Sequence, residues 1–203
     1  MSADSSCGSG CGCSSGLAPQ TVVAVAPRQL KIEFLYLDLD VCTRCQGSEV
    51  NLEEALVEVS TLLKAAGIQT SLQKTHVQSL EQVQALGFVS SPTIRLNGQD
   101  IQLELKENAC PSCSELSGTP TNCRIWIYQG QEYSVPPKEM IVDAILRAVY
   151  GGAQADVPRS PQPTTGMENL RGFFDARRQQ TPAGGQPQES TRINCCSTVG
   201  CCG

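Results

Sequence analysis

Residues 31–67 read KIEFLYLDLDVCTRCQGSEVNLEEALVEVSTLLKAAG and change character halfway. The first half is an almost continuous apolar run: Ile32, Phe34 and Tyr36 alternate with Leu35 and Leu37. Such a run suits a central strand buried on both faces. The second half changes period. Leu52, Leu56, Val59, Leu63 and Ala66 recur at helical spacing, and Gly67 supplies a stop. Asn51 and Glu54 have the spacing of a capping box, which predicts a helix starting at Asn51. Cys42 and Cys45 then lie between strand and helix, with Cys45 and the Gln46-Gly47-Ser48 run in a loop.

Working outward, IQTSLQKTHV reads as a strand, and SLEQVQAL as a short helix capped by Ser79 and Gln82. SPTIRLNGQDIQLEL reads as two strands joined by a turn at Asn97-Gly98. RIWIYQGQEYSV is rich in strand formers. PPKEMIVDAILRAVYG closes the domain as a helix, with two prolines at its start and Met140, Ile141, Ala144, Ile145 and Ala148 on one face. The order is β-α-β-α, then a hairpin, a further strand and a last helix. It predicts an α/β domain of thioredoxin-like order, a mixed sheet flanked by helices. The expected divisions are a disordered Cys/Gly/Ser-rich arm over 1–28, the domain over 29–151, a linker over 152–194 and a Cys-rich tail over 195–203. Within the linker, MENLRGFFDARRQQ reads as a short helix near 167–178, anchored by Phe173 and Phe174.

Charge and hydropathy narrow the function. Residues 29–150 hold 15 acidic and 9 basic side chains, so no basic stripe is available for phosphates and nucleic acid is not an expected partner. No apolar run approaches the length of about eighteen residues that spans a membrane, so no membrane insertion is expected. The start, MSADSSCGSGCGC, has neither the basic nor the apolar region of a secretory signal. The expected location is the cytoplasm. In a reducing compartment, twelve cysteines read as metal ligands or redox groups rather than as a disulfide framework. With His76 the only histidine, a soft-metal site here must be built almost wholly from sulfur.

The cysteines fall into four groups. Cys42 and Cys45 form CTRC at a strand end, where a helix dipole and Arg44 favour thiolate. If this pair carries redox catalysis, Cys42 is expected to be the more exposed thiol of lower pKa, with Cys45 resolving mixed disulfides. Cys110 and Cys113 form CPSC, and Cys123 follows. The intervening SELSGTPTN reads as a loop, and the three thiols can bind zinc with a fourth ligand, hold a three-coordinate metalloid, or form a disulfide clip. Cys7, Cys11 and Cys13 lie on a pliable Gly/Ser backbone where three sulfurs can meet one ion. The tail carries two vicinal pairs, Cys195-Cys196 and Cys201-Cys202. Adjacent cysteines pair poorly because their disulfide ring is strained, so they suit soft ions better.

Three resemblances extend this reading. Pro92 in SSPTI stands where thioredoxin-like proteins carry a cis-proline beside their C-x-x-C, which assigns Cys42, Cys45 and Pro92 to a candidate catalytic group. The segments FLYLDLDVCTRCQGSEVNLEEAL, SPTIRLNGQDIQ, CRIWIYQGQEYSVPPKEMIVDAILRAVYGG and ENLRGFF together resemble a prokaryotic family of thioredoxin-like proteins known as a domain of unknown function, over roughly residues 30–175. That resemblance implies the fold and no activity. The tail's CCSTVGC, with Cys195, Cys196 and Cys201, resembles the metalloid-binding stretch of the arsenical metallochaperones, where it follows the first strand rather than ending the chain. It implies binding of As(III) or Sb(III) by three thiolates and delivery to an efflux component. The expected function is thiol-based binding of a soft metal or metalloid ion. The alternatives are a thiol–disulfide oxidoreductase using CTRC with a thiol reductant, and a structural Zn(II) protein. Residues 151–194 read as a 44-residue tether spanning about 35–40 Å, long enough to bring the tail thiols to the core.

Overall fold

The computed structural model describes residues 28–151 and 164–180. The first strand, β1 (Arg28–Tyr36), pairs in parallel with β2 (Ile68–His76) and antiparallel with β3 (Thr93–Leu96). A two-residue strand, β4 (Gln99–Asp100), completes a mixed sheet of order β2-β1-β3-β4. Among the described residues five helices accompany it: α1 (Thr43–Ala65), α2 (Leu80–Leu86), α3 (Pro111–Ser117), α4 (Lys138–Tyr150) and α5 (Thr164–Gln180). The fold class is α/β, and the strand order and directions are consistent with the thioredoxin-like arrangement expected from the sequence.

β1 alternates buried and accessible residues over its first half, because Lys31 and Glu33 face outward, and it is buried on both faces only from Phe34 on, where its apolar residues serve two cores. Leu30, Ile32 and Phe34 join Ile94 and Leu96 of β3, Leu52, Val59 and Leu63 of α1, and Met140, Ile141 and Ile145 of α4. Leu35 and Leu37 belong to a second core with Val77, Val83, Phe88, five cysteines and residues of α5. β2 lies at the sheet edge, which explains why a strand of nine residues buries so little of itself. The Asn97-Gly98 turn is present, both residues having positive φ, and it reverses the chain between β3 and β4.

Three features differ from the sequence expectation. The helix after β1 begins at Thr43, not Asn51. Asn51 is inside it, and its amide donates to Pro136 O at 2.9 Å ahead of α4. Gly47 is tolerated because the helix presses on Val135: a Cβ at Gly47 would meet its Cγ2 at 2.9 Å. The strand expected after Asn97-Gly98 stops at Asp100. The chain instead forms a second sheet, β5 (Lys106–Ala109), β6 (Asn122–Tyr128) and β7 (Gln131–Tyr133), in that order. Gln102 makes the break: its amide donates to Glu104 O and Ile125 O, and its side-chain oxygen accepts from Ile127 N. The segment read as a loop after Cys110 contains α3, started by Pro111 in the first turn and stopped by Gly118 at φ +71°. The Ser79 cap of α2 forms as expected, its hydroxyl accepting from Gln82 N, while Gln82 reaches back to Gln78 N. No helix among the described residues is long and apolar enough to cross a membrane.

Candidate metal centre

Three chain segments bring four thiols to one point. Cys42 caps the start of α1, and Cys110 caps the start of α3. Cys113 lies one turn into α3, and Cys123 is on β6 beside it. Cys42 and Cys110 both have extended backbone, so each CxxC enters its helix the same way. The four sulfurs all lie within 4.8 Å of one another. Cys113 Sγ donates to Cys42 Sγ at 3.4 Å, and Cys123 Sγ to Cys113 Sγ at 3.2 Å. All four residues are at most 1% exposed.

Several contacts hold the segments in register. Arg44, inside CTRC, donates to Ala109 O at 2.9 Å and to Cys123 O at 3.4 Å. Its guanidinium thus ties the first turn of α1 to the residue before Cys110 and to Cys123. The chain between α3 and β6 is closed by Cys110 N to Thr121 O at 2.9 Å and Thr121 N to Ser114 Oγ at 2.9 Å. Helix α5 lies over the second core. Leu170 is fully buried there, with Phe173 and Phe174 nearly so. Asn169 fixes the helix to β6, accepting from Asn122 N at 2.9 Å and donating to Asn122 O at 2.8 Å. Gln180 donates to Ser117 O at its other end.

Proton sharing shows the electrostatic problem of the cluster. Cys42 is held far below the usual thiol range by the thiols of Cys110, Cys113 and Cys123, which stabilise its thiolate. Cys110 is lowered to about 7 by Cys113 and Cys123. Cys113 is pushed up, chiefly by Cys110, and Cys123 by Cys110 and Cys113. The first negative charge is welcome because neighbouring S–H groups solvate it. Each further one must form beside it in an apolar shell, so the four titrate as a unit. A bound cation would remove that conflict.

The donor set fits one soft ion. Four thiolates about 2.3 Å from a tetrahedral zinc lie about 3.8 Å apart, within the spread found here. The sulfurs are too close together to frame a polynuclear iron–sulfur cluster.

Cys45 is not one of the four. Its Sγ is 3.3 Å from Ser91 Oγ, and its pKa is pushed up by Cys42 and by burial. The Ser91-Pro92 peptide is cis, and Pro92 is buried. Ser91 Oγ also accepts from Leu37 N at 3.1 Å, so this serine connects the strand end to CTRC. The exposure expected of a redox-active Cys42 is absent: it is 0% exposed, as is Cys45. The cause is the shell of α3, β6 and α5 around the C-x-x-C. Arg44 is bound to carbonyls in that shell, a role its sequence position did not reveal. Ser91 and Asn169 also went unnoticed; no local pattern marks a residue that works across more than forty positions. Cys7, Cys11, Cys13, Cys195, Cys196, Cys201 and Cys202 lie outside the described residues.

Fold and site together define a class: an α/β protein with a buried four-cysteine centre compatible with thiol-based metal binding. A family model described as Domain of unknown function (DUF2703) matches residues 30–145, and the chain belongs to that family. No curated protein and no solved structure matches the chain.

Proposed function

We propose that the protein binds one soft metal or metalloid ion through Cys42, Cys110, Cys113 and Cys123 and passes it on by thiol exchange. The observation that carries this reading is the convergence of four buried sulfurs from three segments far apart in sequence. Soft thiolates select soft ions, and carboxylate or imidazole groups have no part in the cluster. Zn(II) or Cd(II) would take all four sulfurs. As(III) or Sb(III) needs three, leaving a fourth as an incoming ligand at the next exchange. The tail thiols Cys195, Cys196, Cys201 and Cys202 would serve as the chain's own exchange partners, as their resemblance to arsenical metallochaperones implies, with an efflux component as recipient. Cys7, Cys11 and Cys13 are candidates for the same role. Native mass spectrometry of the reduced protein with As(III), Zn(II) and Cd(II) tests the core of this reading. One ion fewer per chain when Cys113 and Cys123 are both replaced by Ser, whatever the tail and arm thiols hold, is the expected result. Binding unchanged in that variant would sink it.

A second reading has one observation in its favour. Cys113 Sγ lies 3.4 Å from Cys42 Sγ and 3.2 Å from Cys123 Sγ, close enough for a two-electron oxidation to join either pair. A disulfide substrate would be reduced to two thiols in that step, and a thiol reductant would reset the protein. Catalytic turnover of an insulin-type disulfide by the metal-free protein separates this reading from the first.

A further inference from the structure

A cleft of about 330 Å³ opens where the ends of β1 and β2 meet α5. Its walls combine two kinds of residue. Leu37, Phe173 and Phe174 are apolar, and they belong to the same buried core as the four cysteines. His76, Arg177 and Arg178 supply basic groups, and among the described residues no carboxylate lines the cleft. In a chain of net charge −5 two adjacent guanidinium groups in one cleft stand out. The His76 ring is held in place, stacked on Tyr36 at 5.4 Å between centroids, with Gln78 Nε2 3.0 Å from its Nδ1. Outside the cleft, Glu81 is held below its usual range by hydrogen bonds from Ser79 and from its own backbone N–H, with a smaller contribution from the charge of Arg178. The volume is that of a small-molecule site.

Resting on the metal-binding reading above, we infer that this cleft docks a small anionic thiol, the carrier that brings the soft ion to the buried sulfurs. The chemistry of both walls selects that class. Carboxylates fit guanidinium groups, singly or as bidentate pairs. The apolar wall takes the aliphatic body, and its Leu37, Phe173 and Phe174 pack in the same core as the cysteines. A soft ion at neutral pH travels as a thiolate complex rather than as a free cation. Transfer then needs no redox change. A protein sulfur forms a bond to the ion as a carrier sulfur–ion bond breaks, and the proton of the protein thiol leaves with the carrier thiolate. The same docking gives the carrier's carboxylates their affinity and leaves its thiol free to exchange.

Reduced glutathione, a thiol bearing two carboxylates, is the probe. Titrated into the full-length metal-free protein at millimolar concentration, it should shift the amide resonances of His76, Gln78 and Ser79 and of the last two turns of α5. Replacing both arginines, R177Q with R178Q, should weaken that binding about tenfold or more. His76→Gln, on the sheet and not on α5, should also weaken it, so the test survives if the arginine variant loosens the helix. Cadmium supplied as its glutathione complex should load more slowly into R177Q/R178Q by a similar factor, while cadmium supplied as the aquo ion loads at the wild-type rate. S-methylglutathione, which keeps the carboxylates and lacks the thiol, should compete with loading from the complex. Absent or scattered resonance shifts, or an equal fall in both loading rates, would overturn the cleft assignment. Failure of cadmium to load by either route would instead overturn the metal-binding reading, and the resonance shifts would still judge the cleft by itself.

Discussion

Cys42 and Cys45 are separated by only two residues, yet they belong to different sets. Cys42 faces three other sulfurs, whereas Cys45 turns to Ser91. Cys42→Ser should therefore lower affinity for Zn(II) or Cd(II) by more than about a hundredfold, since loss of mere outer-shell partners already costs up to that much. Cys45→Ser should leave one ion per chain and change affinity little. Competition against a chromophoric chelator measures both, and equal losses would show that the CTRC pair binds as a unit. The proton inventory gives a second test. Within the cluster, Cys42 and Cys110 have lowered pKa values and ionise first, whereas Cys113 and Cys123 have raised ones and hold their protons longest. A bound dication must expel those two, so about two protons should leave per ion and affinity should rise with pH. Calorimetry in buffers of different ionisation enthalpy counts them. A release near zero would exclude these thiols as ligands. The sequence made both CxxC motifs legible as sites of chemistry. That Cys42 sides with the CPSC motif instead of its neighbour was not legible, because the choice is made by α3 and β6 packing against the first turn of α1, some seventy residues away.

The secondary-structure elements that depart from the sequence expectation do so for common causes. Asn51 and Glu54 imitate a helix start, and Gln46-Gly47-Ser48 imitate a loop, because local propensity disfavours Gly inside a helix. Tertiary contact overrides it: Ser48 is fully buried with its hydroxyl donating to Arg44 O, and Gly47 makes room for Val135. The consequence for the site is direct, since the earlier start places Cys42 at the helix N-terminus. Helix α5 is the element whose importance was hardest to see. Its sequence is polar overall, and its buried side chains among the described residues are Leu170, Phe173 and Phe174, with Met167 partly buried beside them. Those three residues and the Asn169–Asn122 bonds seat it on a core that includes the cysteines. An ion cannot reach fully buried sulfurs unless something moves, and α5 is a cover joined to the rest by few contacts. Leu170→Ala should weaken its seating by about 2 kcal/mol, the lower end for a buried leucine. That raises the undocked population about thirtyfold. Removal of Cd(II) by excess chelator should speed up accordingly, with the α1–sheet core unaffected by circular dichroism. An unchanged rate would place the route to the sulfurs elsewhere.

For the molecule as a whole, the docked α5 changes the tether argument. A span of 44 residues from the domain end to Cys195 was the expectation, but residues 164–180 are taken up by the helix. The chain to the tail thiols starts afresh at Gln180, which bonds to Ser117 at the end of α3. Helix α3 has seven residues and is about 10 Å long, and Cys110 and Cys113 lie at its other end. Cys195 follows Gln180 by fifteen positions, a stretch that can span at most about 50–55 Å. The tail thiols therefore have several times the reach they need to meet the cluster, from an attachment point already beside it. Tethering over so short a distance corresponds to a millimolar effective concentration. If the tail is the chain's own donor of As(III), deleting residues 190–203 should slow loading of the core cysteines at low arsenite while leaving Tm and the far-ultraviolet spectrum unchanged. Adding back the excised peptide in trans at micromolar concentration should restore little of the rate, because the advantage lies in the tether. A truncated protein that loads As(III) at the wild-type rate would leave the core cluster as the sole site of uptake and the vicinal cysteines without a part in it.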